Sequence, residues 1–134
     1  MSLIVRLVLP FMSTVHRVIG FGVVGGFLLL SLWGLGAFVV KRDPTRWYWR
    51  LLAVLQVVVI LQLLSGLVLL AAGRGRPILH YAYGAVFPAL VLVAAHVIAR
   101  ELEDPRDPPR VFAIAGFVVF GLTLRALTTG LGLP

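Results

Sequence analysis

The sequence predicts an all-α integral membrane protein, a single domain over residues 1–134 folded as an up-down-up-down four-helix bundle. Three observations predict it. Hydrophobic residues make up 60% of the chain and charged residues 13%, with a mean hydropathy of +1.05. Soluble domains carry about 45–50% apolar residues and about a quarter charged, and a domain this short leaves too much surface exposed to hide the excess in one core. The apolar residues fall into four runs, each reaching the roughly 20 residues that a spanning helix needs. The links between them, "KRDPTR", "GRGR" and "RELEDPRDPPR", are short, which sets neighbouring helices antiparallel. Helices are the required element, because backbone polar groups in lipid must be satisfied within the segment.

The first ten residues, "MSLIVRLVLP", are too short to span and lack the small-residue cleavage site of a signal peptide, so they read as an interfacial lead-in. The first helix runs from about Met12 to Val40 and ends before a loop holding Pro44. The second, from about Trp47 to Ala72, opens on Trp47, Tyr48 and Trp49, an aromatic belt at the membrane face. It also carries Gln56 and Gln62. An amide in lipid wants a partner, so Gln62, near mid-depth, is expected to face the bundle. The third helix runs from Pro77, well placed in a first turn, to Ala99, and Pro88 inside it predicts a kink. Pro105, Pro108 and Pro109 fall in the third loop. The fourth helix runs from Val111 to Gly130, its apolar run interrupted by Arg125.

The chain has no cysteine, which excludes disulfides, thiolate metal sites and heme attached through C-x-x-C-H. Its net charge of +7 sits in loops and helix ends, where membrane topology accounts for it without nucleic acid. Loops one and three hold seven cations (Lys41, Arg42, Arg46, Arg50, Arg100, Arg106, Arg110), and the other side holds five (Arg6, Arg17, Arg74, Arg76, Arg125). The positive-inside rule then places both termini on the outer side, in what reads as a prokaryotic cytoplasmic membrane. All five acidic residues lie in loops one and three. That argues against a transporter built on intramembrane carboxylates, and it removes the obvious general base.

His16 and His80 each lie a few residues into helices of equal direction, so both sit about one turn below the same face. Two imidazoles facing across a bundle can fill the axial positions of one heme iron. Each is followed four residues on by glycine, Gly20 and Gly84. Residues four apart share a helix face, so the repeated H-x-x-x-G leaves bare backbone where a flat porphyrin would lie. Close helix packing also uses glycine, and an interfacial histidine can be a polar anchor. Arg17 and Arg125 lie near the same end and could meet anionic propionates, although Arg125 could equally snorkel to the interface. Arg74 and Arg76 read as loop cations, and Tyr81 and Tyr83 flank the second histidine. His96 lies 16 residues after His80, about 160° around the helix and near the opposite face, and reads as a packed or hydrogen-bonded histidine.

The stretches "HRVIGFGVVGGFLLLSLWGLGAF", "LLAVLQVVVILQLLSGLVLL" and "ILHYAYG" resemble one four-helix half of the heme A synthase family. The resemblance covers residues 13 to about 100. It implies that His16 and His80 ligate one heme b near the outer face. The family's glutamate three residues before the first histidine is replaced by Ser13, and only one half is present. The expectation is therefore a b-type cytochrome-like protein with one heme per chain, transferring electrons or serving a respiratory or heme-handling complex. Its expected partners are membrane lipid, other proteins or a second copy, and a quinol. The alternatives are a heme-modifying enzyme acting as a dimer and a heme-free structural subunit.

Overall fold

The computed structural model describes residues 2–134 and consists of four long helices. They are α1 (Leu3–Val39), α2 (Arg46–Ala71), α3 (Ile78–Glu101) and α4 (Asp107–Gly130), and each is long and apolar enough to cross a bilayer. The protein is an all-α integral membrane protein. Large apolar side chains such as Leu29, Val57, Leu90 and Phe117 point outward, as expected where the solvent is hydrocarbon.

Two helix starts differ from the sequence reading. α1 begins at Leu3, so the lead-in is a continuation of the first helix. Ser2 caps it, its hydroxyl accepting from the Val5 amide at 3.4 Å. Pro10 lies inside this helix, where its missing N–H removes one intrahelical bond. α4 begins at Asp107, placing Pro108 and Pro109 in its first turn, where the missing amide hydrogens have no helical partner to lose.

In α3 the irregularity precedes Pro88. Residues Ala82–Val86 form a π turn, with the Phe87 amide donating to the Ala82 carbonyl. Pro88, itself buried, has no N–H for the ordinary ladder. The wider turn absorbs that loss between His80 and the rest of the helix.

Contacting pairs run in opposite chain order. His16 meets Ser65, Gly20 meets Gln62 and Gly34 meets Tyr48 between α1 and α2. Gly84 meets Ala126, and His96 meets Phe112, between α3 and α4. α1 packs against both α2 and α4, and α4 packs against α3, whereas α2 and α3 scarcely touch. Small residues allow the central pair to approach: Gly34 lies against Ala113, and Gly116 against the Phe27 carbonyl. Phe27, Leu30, Leu52, Phe112 and Val119 fill the core around a fully buried Tyr48, whose hydroxyl donates to the Pro109 carbonyl at 3.0 Å. This packed half lies away from the histidine pair, where the bundle opens.

Candidate functional site

His16 on α1 and His80 on α3 face each other with ring centroids 6.1 Å apart and planes tilted by 59°. Each ring is held through Nδ1. The Ser65 hydroxyl donates to the Gln62 carbonyl at 2.9 Å, so its oxygen accepts from His16 Nδ1–H at 2.8 Å. His80 Nδ1–H donates to the Ala126 carbonyl at 2.9 Å. These bonds fix one tautomer on both rings, with the proton on Nδ1 and the lone pair on Nε2. Metal-bound histidines are oriented in this way by their other nitrogen. His16 Nε2 has one hydrogen-bond partner among the described residues, the Gln62 amide at a long 3.4 Å, and the buried Gln62 Oε1 has none among them.

The sequence placed Gly20 and Gly84 at the site, and the structure adds two other glycines. A Cβ at Gly66 would lie 3.1 Å from His16 Cε1, and one at Gly130 would lie 2.9 Å from His80 Cε1. Each imidazole thus rests on a bare glycine of the following helix. Gly20 instead leaves room for the Gln62 amide, 3.1 Å from its would-be Cβ, and Gly84 lets α4 approach through Ala126 at 3.2 Å. All four glycines border the same cavity.

The missed pair did have a signal. Ser65-Gly66-Leu67 and Thr129-Gly130-Leu131 stand 64 positions apart, as the two histidines do. Arg42-Asp43-Pro44 and Arg106-Asp107-Pro108 share that offset, as do Arg46 and Arg110. The H-x-x-x-G pair is the opening of a longer internal repeat, one copy per helical hairpin, and each copy supplies one histidine and the glycine beneath it.

The cavity has a volume of about 610 Å³, within the roughly 300–1,000 Å³ typical of cofactor pockets. Its walls are mainly apolar, and Arg17, Arg74 and Arg76 border it with Ser13. Arg76 is placed by its own amide, which donates to the Tyr81 hydroxyl at 3.0 Å. Arg125 is exposed and does not border the cavity. Of the two arginines expected near the propionates, Arg17 borders the cavity, while the exposed Arg125 stands where a long cationic side chain can snorkel. Arg74 and Arg76, read as loop cations, line the mouth instead because the tight turn after α2 folds back over it. Gly73 makes that turn possible at a φ of +77°.

His96 is remote from this pair. Its Nδ1–H donates to the Leu92 carbonyl at 2.8 Å, and the Gln56 amide donates to its Nε2 at 3.1 Å. That bond bridges α2 and α3 where they otherwise stand apart, so His96 and Gln56 satisfy each other.

The donor set suits a porphyrin. Imidazole nitrogens bind metals at about 2 Å, so two rings on opposite sides of one ion have centroids roughly 6 Å apart, and the observed 6.1 Å agrees. Among the described residues no three His, Asp or Glu side chains cluster to seat a bare ion. A macrocycle that supplies further ligands itself would need only the two imidazoles from the protein. Comparison with family models, with curated proteins and with solved structures found no match to this chain.

Proposed function

We propose that this protein is a b-type cytochrome-like electron carrier of the membrane that binds one heme b through His16 and His80. The observation that carries the reading is the facing pair of imidazoles, 6.1 Å apart, each with Nδ1–H engaged and Nε2 left as the lone pair. When bound, the heme supplies a reversible one-electron iron couple. Ser65 and the Ala126 carbonyl hold the two rings in the ligating tautomer. Gly66 and Gly130 let the rings approach the neighbouring helices closely. Arg17, Arg74 and Arg76 provide cations at the cavity mouth for anionic propionates.

His16 and His80 would both be taken up in holding the heme, which favours electron transfer over catalysis. No carboxylate lines the cavity among the described residues, so the heme-modifying alternative lacks a general base beside the site. On this reading the histidine end lies on the outer side of a prokaryotic cytoplasmic membrane, opposite the seven-cation face. A quinol or a partner protein would exchange electrons at the cavity mouth.

The test is a dithionite-reduced minus oxidised absorption spectrum of detergent-purified protein with its His16→Ala and His80→Ala variants. Sharp low-spin bands that vanish in both variants are expected. A colourless wild type from heme-replete cells would sink the proposal and leave a structural subunit as the reading.

A further inference from the structure

A second cavity, of about 380 Å³, lies at the opposite end of the bundle. Lys41, Arg42, Arg106 and Arg110 line it, against the carboxylates Asp43 and Asp104. Arg110 is fixed in place, its Nη1 2.7 Å from Asp107 Oδ1 and its guanidinium stacked 4.1 Å above the Phe38 ring. Asp104 is engaged by the Arg106 amide at 2.9 Å. Among the described residues no carboxylate lies within 4.0 Å of the side-chain nitrogens of Lys41, Arg42 or Arg106. The four lining cations outnumber Asp43, Asp104 and the Asp107 paired with Arg110, so a surplus of one positive charge remains at the cavity.

Two further features point the same way. Arg42 and Arg106 are equivalent positions of the internal repeat, 64 residues apart, and they converge on this cavity as the two histidines converge on the other. The second feature is backbone. α1, α2 and α4 all end in the same way, with a residue in the left-handed region and a returning backbone bond: Arg42 to Ala37, Arg74 to Leu69 and Leu133 to Thr128. At two of these ends the left-handed residue is glycine, Gly73 and Gly132, as the motif favours. At the third it is Lys41, with a φ of +56°. A strained backbone that keeps a side chain points to a use for that side chain. Here it keeps an ammonium group on the cavity wall.

We propose that this cavity binds a phosphate group, in the first instance the headgroup of an anionic phospholipid. Oxyanions suit clustered guanidinium groups, and basic pockets between membrane helices hold anionic headgroups on the face rich in cations. A free phosphate ion offers the same chemistry, so the experiment separates the two sources. The proposal is independent of the heme reading.

The whole protein is placed in nanodiscs of phosphatidylcholine alone, and thermal unfolding is followed as phosphatidylglycerol or inorganic phosphate is titrated in. The wild type should be stabilised by phosphatidylglycerol. Arg42→Gln/Arg106→Gln should need about thirtyfold more of it for the same shift, each cation contributing roughly fivefold. Arg50→Gln/Arg100→Gln removes the same charge from the same face outside the cavity and should respond like wild type. Lys41→Gly relieves the left-handed strain, so it should fold at least as well yet bind more weakly. Stabilisation by inorganic phosphate in the neutral nanodiscs would assign the site to free phosphate. No response of the wild type to either probe, or equal loss in both double variants, would overturn the proposal.

Discussion

The glycine beneath His80 offers the sharpest test of how the histidine pair is seated. In Gly130→Ala the new Cβ would stand 2.9 Å from His80 Cε1 and 3.1 Å from Nδ1. Carbon–carbon contacts are best at about 3.5–4.0 Å, so the ring must retreat by roughly 0.6 Å or more. Its Nδ1 already sits 2.9 Å from the Ala126 carbonyl, and a retreat of that size stretches this bond beyond good geometry. Metal–ligand distances tolerate only about 0.2 Å. Overpacking of this kind costs about 1–3 kcal/mol, or roughly 5- to 150-fold in affinity. Gly66→Ala, with its Cβ 3.1 Å from His16 Cε1, should be milder. Gly121→Ala, with nothing within 4 Å, should be silent. Heme content and the reduced-minus-oxidised spectrum of the three purified variants, with thermal unfolding as a check on folding, should rank them in that order. Full heme occupancy with an unchanged spectrum in Gly130→Ala would refute the argument that glycine sets the ring's position.

Other consequences follow from the same geometry. Ser65→Ala removes the acceptor that holds His16 Nδ1–H, so heme affinity should fall about 10- to 100-fold, as for other oriented ligands, read by heme transfer to an apo-protein scavenger. Arg17→Gln and Arg76→Gln should weaken heme retention while Arg125→Gln leaves it intact, since only the first two border the cavity. An equal loss in all three would place Arg125 at the site as well. Tyr48→Phe leaves the Pro109 carbonyl without its 3.0 Å donor, so the unfolding free energy should drop by about 1 kcal/mol with the heme spectrum unchanged. In Gly34→Ala the new Cβ would lie 2.6 Å from Ala113 Cβ, an atom fixed to backbone. α1 and α4 must then part, which should destabilise the bundle by about 1–3 kcal/mol, measured as a lower midpoint of thermal unfolding.

Much of this protein is local in origin and therefore legible in its residues. Apolar composition and four runs of spanning length determined the helices, because lipid leaves the backbone no other solution. Short links and the spacing of His16 and His80 determined that two imidazoles share one end, because helical rise converts sequence distance directly into depth. Depth alone does not settle rotation. Which way Arg125 turns, which nitrogen of each histidine is tied down, and what lies beneath each ring depend on how one helix is turned against another about 50 residues away. Ser65 and Gly66 looked like ordinary residues of an apolar helix, and the Ala126 carbonyl has no side-chain signature at all. The start of α1 was missed because ten residues too short to span alone were read apart from the apolar run that follows, yet the capped N-terminus carries one helix through both. The convergence of Arg42 and Arg106 is likewise a tertiary fact. Their loops are far apart in the chain, and only the antiparallel packing of α1 against α4 makes them one charged wall.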